Sequence, residues 1–410
     1  MAVTALYMHV PFCAQKCRYC DFDSRSFALC DLDAALDSYS EQLYARLDFL
    51  GDAGALAQVR TVYIGGGTPS LAGERLVKLA RRISMWSKPV EFTCEANPES
   101  LTAELATALA EAGVTRISLG VQTLDNTELA AIGRIHDANR ALAAIATVKD
   151  AGLDVSCDLM CGLPGQTAAS WRSTLDGVLA AAPHHVSVYP LTLEEGTPLY
   201  RMACRDESLE PDEDFQASCM DAARERLGAA GYHPYEVASY ALDGHECAHN
   251  IAYWTGRGYL GLGRSAAGML DDEDFDRLAG LFPGVSSRGD AYRVRLVQRD
   301  DDATAFEAEY LSQREAAAED LMLACRMTRG VASDLLARAA CVIPTGELAA
   351  ACDRALELGL ATWVPETLWG HEGPFTSADV VAGHVRARLA PTHLGWLDGN
   401  VLFELFWDLA

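Results

Sequence analysis

An alternation narrows the fold of this chain more than any other feature. From the N-terminus to about residue 235, short runs rich in Val, Ile, Thr, Tyr and Phe take turns with runs of helical apolar spacing. The strand candidates are residues 4–10, 61–64, 90–94, 116–119, 155–159 and 185–189. Helix candidates lie between them, at 32–49, 74–86, 103–112 and 139–151. The last two end at Gly113 and Gly152, and glycine just past a helix is the expected stop signal. Strands interleaved with helices at intervals of roughly thirty residues read as βαβ units around a parallel sheet. Six units are fewer than the eight of a closed TIM barrel, so the expected core is α/β, a partial (β/α)6 barrel over residues 1–235. Residues 236–302 read as a less regular connecting segment. Residues 303–410 read as a smaller, mainly helical and winged-helix-like domain, with helices at 305–326, 333–340 and 345–358 and short strands toward Trp363 and Trp369.

Parallel α/β architectures gather ligand groups at the carboxyl ends of their strands, and there the unusual residues fall. Cys13, Cys17 and Cys20 follow the first strand, and Gly65-Gly66-Gly67-Thr68-Pro69 follows the second. Glu95-Ala96-Asn97-Pro98 follows the third, Gly120-Val121-Gln122 the fourth and Gly162-Leu163-Pro164-Gly165-Gln166 the fifth. The Cys-x3-Cys-x2-Cys triplet offers three thiolates where an iron–sulfur cube normally takes four, which leaves one iron open to a small molecule. Zinc is the competing reading, but it wants a fourth Cys or His; His9 is nearby, on the strand before the triplet. Three glycines after a strand allow a ligand close to the backbone, or make a tight strand-to-helix turn. Glu95 could accept from a ribose or ammonium group, or serve as a helix N-terminal acid. Gln122, Asp158 and Arg134 could face the same cavity or make structural hydrogen bonds. Cys157 and Cys161, with Cys30, Cys94, Cys204, Cys219, Cys325, Cys341 and Cys352, read as small buried core residues.

Bulk composition removes whole classes of function. The net charge of −25 argues against a nucleic-acid or anionic-membrane binder, because phosphate recognition needs an excess of Lys and Arg. No run approaches the roughly 20 apolar residues of a membrane span, and no basic segment followed by an apolar one suggests a secretory signal. Thirteen cysteines, an odd number without regular pairing, fit a reducing compartment and so a cytoplasmic protein. Further along, His245-Glu246-Cys247-Ala248-His249-Asn250-Ile251-Ala252-Tyr253-Trp254 groups histidines with aromatics. Imidazole is a common axial ligand of haem iron and aromatics suit a flat macrocycle; a locally hydrogen-bonded loop histidine is the plainer reading.

Taken together, these runs resemble the coproporphyrinogen-oxidase-like branch of the radical S-adenosylmethionine (SAM) superfamily, and within it the HemW-type haem chaperones. The matching segments are Tyr7-x-His9-x-Pro11-Phe12-Cys13, Tyr63 to Ser70, Glu95 to Pro98, Ser118 to Gln122, Gly133 to His136, Asp158 to Thr167 and His249-Asn250-x-x-Tyr253-Trp254. The resemblance implies that Cys13, Cys17 and Cys20 ligate a [4Fe–4S] cluster. It implies that Tyr7, Gly66, Gly67, Thr68 and Glu95 contact SAM, with Tyr19, Gln122, Arg134 and Asp158 lining the same cavity. It also makes His249 the candidate haem ligand, and implies a haem or tetrapyrrole partner, a haem-acceptor protein and an electron donor. Two relatives compete: the oxygen-independent coproporphyrinogen III dehydrogenases and a group of radical SAM methyltransferases. The former typically carry an N-terminal extension and another cysteine soon after the triplet. This chain begins six residues before Tyr7 and places Asp21-Phe22 after Cys20. The His-Asn-x-x-Tyr-Trp run argues against the latter. One departure stands out: where the family commonly has a histidine after its Gly-x-Gly, this chain has Ala267.

Overall fold

The computed structural model describes residues 3–26, 29–285, 287–366 and 375–410. Its centre is a run of parallel strands in sequence order: β1 (Ala5–Val10), β2 (Thr61–Gly66), β3 (Glu91–Ala96), β4 (Arg116–Gln122), β5 (Asp154–Cys161) and β6 (His185–Pro190). Each expected strand is present; the first is one residue shorter and the other five are one to three residues longer than the spacing predicts. The helices between them also stand where expected, at Leu29–Asp52, Glu74–Trp86, Ala103–Glu111 and Ala138–Asp150. Thr102 and Asp137 cap the last two by accepting from Leu105 N and Arg140 N, which satisfies backbone donors the helix cannot. Gly113 and Gly152, at φ 100° and 74°, take the left-handed conformation past their ends.

The two faces of these strands differ in chemistry. Leu6, Met8, Val62, Ile64, Phe92, Ile117, Val155 and Val186 point outward and are buried with Leu47, Val77, Ile83, Leu109, Ile145 and Trp171 of the surrounding helices. Each such aliphatic side chain contributes about 1.5–3 kcal/mol when removed from water. The alternate residues point to the other face and are polar or aromatic. Register sets Tyr7 beside Tyr63, Glu95 beside Ser118, Ser118 beside Ser156 and Asp158 beside Ser187. Since a strand alternates faces with period two, one side of the sheet becomes a polar lumen inside an apolar wall. Cys94, Cys157 and Cys161 belong to the wall, as expected of small core residues.

The barrel is open, because β1 and β6 pair with other strands rather than with each other. Strands β7 (His233–Pro234) and β8 (Ser239–Ala241) add antiparallel to β6. On the opposite edge β9 (Tyr259–Leu262) joins β1 as a seventh parallel strand. Beyond it, β10 (Ala267–Asp271), β11 (Arg293–Gln298) and β12 (Phe306–Leu311) follow antiparallel, completing a twelve-stranded sheet. Residues 236–302 are therefore part of the sheet rather than a connector, and the helix expected from 305 is strand β12 until Leu311. Helix begins only at Gln313–Ala324, after the Ser312 capping box.

The C-terminal residues build a second core, including Leu321, Val331, Leu336, Leu348, Cys352, Val380, Leu389 and Phe406. It lies between helices Gln313–Ala324, Ser333–Ala339, Thr345–Glu357 and Gly399–Trp407 and an antiparallel pair, Ala361–Pro365 with Ala387–Pro391. Trp363 lies in that pair; Trp369 falls outside the described residues, as does the Cys30 side chain. Cys204 and Cys341, expected in the core, are exposed. No helix among the described residues is long and apolar enough to cross a membrane.

Candidate functional site

The loop after β1 is tied down from several sides. Arg18 N donates to Ile132 O (2.9 Å), Arg18 Nη1 to Ala131 O (3.0 Å) and Gln15 Nε2 to Gly133 O (3.0 Å). Gly67 N reaches Val10 O (2.9 Å) and Thr68 N reaches Phe12 O (2.7 Å), so the glycine turn after β2 is stitched to the strand that delivers Cys13. The glycines are required by space. A Cβ at Gly66, which sits at φ 114°, would stand 2.6 Å from the His9 ring, and one at Gly67 would stand 2.6 Å from Phe12 O.

Cys13, Cys17 and Cys20 line one cavity with Tyr19, Gly66, Gly67, Thr68, Glu95, Asn97, Gln122, Arg134 and Asp158. Of the residues the sequence singles out, Tyr7 and His249 line a different cavity. Two sulfurs already receive hydrogen bonds: Thr68 Oγ1 donates to Cys13 Sγ (3.7 Å) and Arg134 Nη1 to Cys17 Sγ (3.5 Å). Arg134 also donates to Asn97 Oδ1 (2.9 Å), and Asn97 Nδ2 to Thr68 Oγ1 (3.1 Å), so one guanidinium organises both contacts. Gly120 makes room for it, since a Cβ there would lie 2.8 Å from Arg134 Nη2. Burial pushes the Cys20 thiol up to about 11 and raises Cys13. Buried thiols of this kind become thiolates when a metal or cluster binds. The donor set fits a cluster better than zinc, because both His9 nitrogens are engaged, by Tyr7 Oη (2.9 Å) and Asp23 O (2.8 Å).

Glu95 and Asp158 face the same space. Glu95 accepts from Tyr63 Oη (2.8 Å) and Gly66 N (3.0 Å), and Asp158 from Ser118 Oγ (3.1 Å). Burial is the main cause lifting Glu95 to about 7 and Asp158 to about 6, and the Asp158 charge further raises Glu95. Two acids near neutrality in a cavity wall suit hydrogen-bonding to a polar ligand. Gln122, at φ 67° where β4 breaks register, turns its side chain into this cavity. Strain of that kind clusters at ligand sites. The Gly162 turn, in contrast, is structural: Gln166 Oε1 takes Gly162 N–H (2.7 Å).

The lumen continues downward past Ser118, Ser156, His185, Ser187 and Tyr189 to Cys247 and Asn250. Its floor is the helix Ala248–Trp254. Glu91, the first residue of β3, accepts from Ala248 N (2.7 Å) and His249 N (2.9 Å). Arg116, the first residue of β4, lies 3.4 Å from Glu91 and donates to His245 O (2.8 Å) and Glu246 O (3.2 Å). This buried pair fixes the helix against the strand starts. His249 Nδ1 meets Thr61 Oγ1 (3.1 Å), while its Nε2 is buried without a partner. Burial lowers its pKa to about 3, so the ring is neutral; with Nδ1–H donating to Thr61 Oγ1, Nε2 would carry the free lone pair. The ring packs between Tyr63 (5.4 Å) and Tyr253 (4.9 Å). Its cavity is also lined by Tyr7, Tyr259 and Ala267, so the place of the family's histidine faces His249. Thr61 and Gly66 are five residues apart on β2, which sets His249 roughly 17 Å below the glycine turn.

Sequence reasoning missed Glu91, Arg116, Ser118 and His185. Their signal was the polar alternation Arg116-x-Ser118, Ser156-x-Asp158 and His185-x-Ser187 within otherwise apolar strands.

Comparison with known proteins places this geometry. The family model of the radical SAM superfamily matches residues 7–178. The chain is 34% identical over 270 residues to the "Heme chaperone HemW" of Bacillus subtilis, covering 64% of this chain and 70% of that one. It is 33% identical over 330 residues to the Lactococcus lactis protein of the same name (79% and 82% covered). To the Escherichia coli protein of that name it is 36% identical over 275 residues (66% and 71%). Among solved structures, coproporphyrinogen III oxidase (HemN) from Escherichia coli superposes with TM-score 0.74 at 18% identity, covering 99% of this chain and 90% of that one, a likeness of fold.

Proposed function

The chain belongs to the radical SAM superfamily, on its coproporphyrinogen III oxidase-like branch with the HemW-type proteins, and on that premise we propose that it binds haem and hands it to an acceptor protein. Cys13, Cys17 and Cys20 would hold the [4Fe–4S] cluster that the superfamily uses, leaving its fourth corner for SAM. When bound, that pair supplies one-electron cleavage of SAM. The protein's part is to bind, orient and exclude water. Gly66 and Gly67 line the cavity where SAM's polar end would lie, Glu95 and Asp158 offer acceptors, and Arg134 donates toward Cys17 and, through Asn97 and Thr68, supports Cys13.

The observation that carries the haem reading is the buried, unpartnered Nε2 of His249 in a cavity walled by four tyrosines, Tyr7, Tyr63, Tyr253 and Tyr259. A buried ring nitrogen without a hydrogen-bond partner is costly unless a ligand uses it, and neutral imidazole is an ordinary ligand for haem iron. With alanine at 267, β10 brings no second imidazole to this cavity, so among the described residues His249 would be the one histidine lining it that could hold the haem. Haem titration followed at the Soret band tests this. His249→Ala should weaken binding by at least about tenfold; unchanged spectra and affinity would overturn the assignment. Release of decarboxylated tetrapyrrole in stoichiometric amounts by anaerobically reconstituted protein would replace the carrier reading by that of a coproporphyrinogen III dehydrogenase. Methylated product would replace it by that of a methyltransferase.

A further inference from the structure

A second set of metal-ligand residues lies at the opposite end of the barrel from the cysteines. Asp154 opens β5, His184 immediately precedes β6, and His245 belongs to the loop leading into the helix that carries His249. One ligand atom from each lies within 4.8 Å of the other two. His245 Nδ1 is 2.7 Å from Asp154 Oδ2, His184 Nδ1 is 3.8 Å from Asp154 Oδ1, and the two imidazole rings are 4.7 Å apart. All three side chains are part-exposed, so an ion could reach them.

The hydrogen bonds at this corner fix which atoms an ion would take. His184 Nδ1 accepts from Val155 N (3.1 Å), so its one lone pair is engaged there and the ring's proton is on Nε2. Nδ1 and Asp154 Oδ1 stand 3.8 Å apart with no proton between them, and an ion binding both takes the Nδ1 lone pair from the Val155 amide.

From this geometry we infer that Asp154, His184 and His245 form a binding site for a first-row divalent ion of the Zn²⁺ type. Two imidazoles and one carboxylate are a common three-residue set for zinc, with water in the fourth position. At bonds of about 2.0–2.1 Å, tetrahedral zinc needs its ligand atoms roughly 3.3 Å apart. The Asp154–His245 pair must therefore open by roughly half an ångström and the other pairs contract by up to about 1.5 Å, within reach of side-chain rotation. The ion replaces the Asp154–His245 and Val155–His184 hydrogen bonds, and the His245 proton moves from Nδ1 to Nε2 through solvent, so both imidazoles bind as neutral ligands. Two imidazole nitrogens among the three donors disfavour Ca²⁺ and Mg²⁺, ions held by oxygen donors. Because His245 stands two residues before Cys247, the N-cap of the floor helix, the ion would tie that helix to the starts of β5 and β6.

The test uses cluster-loaded protein, so that the cysteine sulfurs are occupied, titrated anaerobically with Zn²⁺ against a chromogenic chelator. One Zn²⁺ per chain should bind. His184→Ala and His245→Ala should each weaken it by about tenfold or more, while His233→Ala, a nearby histidine outside the set, should leave it unchanged. Ca²⁺ should not compete. Anomalous diffraction at the zinc edge from wild-type crystals reads the position without any substitution. A peak between Asp154, His184 and His245 supports the site. A peak at the cysteine loop only, no binding, or wild-type affinity in the two histidine variants would overturn it.

Discussion

Replacing Glu95 by glutamine should strengthen the ligand-free fold at alkaline pH while weakening SAM binding. The Glu95 carboxyl is enclosed between β2 and β4, where burial first and the Asp158 charge second lift it from 4.5 to about 7, against the pull of hydrogen bonds from Tyr63 Oη and Gly66 N. In the unfolded chain the same group loses its proton near 4.5. Between those values the folded protein holds a proton that the unfolded chain has released, so stability falls as pH rises. Below 4.5 there is no contribution; above about 7 the full cost is present, roughly 3 kcal/mol at about 1.4 kcal/mol per pH unit. Asp158, raised from 3.8 to about 6, adds a loss of the same sign at lower pH. Glutamine carries no charge and retains one acceptor, losing one charge-assisted hydrogen bond worth about 2 kcal/mol. The variant should therefore gain about 1 kcal/mol over wild type at pH 8 and lose that advantage at pH 5. Native-state hydrogen exchange of the β2 and β3 amides reads this locally. Parallel pH profiles for the two proteins would refute the reasoning, because they would mean that Glu95 is ionised alike in both states.

Two further substitutions test what holds the two ends of the lumen. Gly67→Ala places a Cβ 2.6 Å from Phe12 O, so the strand carrying Cys13 must shift. The expected cost is about 1–3 kcal/mol, with a lower iron content after reconstitution, measured by thermal melting and by the iron-to-protein ratio. Arg116→Met removes the donors to His245 O and Glu246 O and leaves Glu91 buried without its cation. Breaking such a pair costs about 3–5 kcal/mol, and faster exchange at the Ala248 and His249 amides should localise it.

The six core strands were legible because each is a run of β-branched and aromatic residues bounded by helical periodicity and glycine stops. The three cysteines and the glycine turn were legible because few other arrangements need those residues at those spacings. What failed depended on distant partners. Phe306-Glu-Ala-Glu-Tyr-Leu311 has the Ala and Glu content of a helix, yet it pairs along β11, where Glu309 and Glu307 meet Arg295 and Arg299. β9 is a short Gly-containing run whose partner, β1, lies some 250 residues earlier, so nothing local marks it as a sheet strand. Tyr7 carries its family motif, but its ring faces the His249 cavity across from Tyr63.

The split between outer and inner strand faces explains why so polar an interior is compatible with folding. Glu91, Arg116, Glu95, Asp158, His185 and His249 all lie within the barrel, and burying such groups is unfavourable unless each is paired or used. Some are paired: Glu91 by Arg116 and two backbone amides, and His185 by Ser156 and Tyr235. Others keep unspent capacity, namely the lifted carboxyls of Glu95 and Asp158 and the free Nε2 of His249. These cluster at two levels, beside the cysteines and on the floor helix, and Tyr63 spans the gap with its hydroxyl on Glu95 and its ring against His249. A chain selected for stability alone would fill those positions with apolar residues, as it has on the outer face of the same strands. Spare polar capacity at two levels of one lumen is what two separate ligands, one above the other, would use.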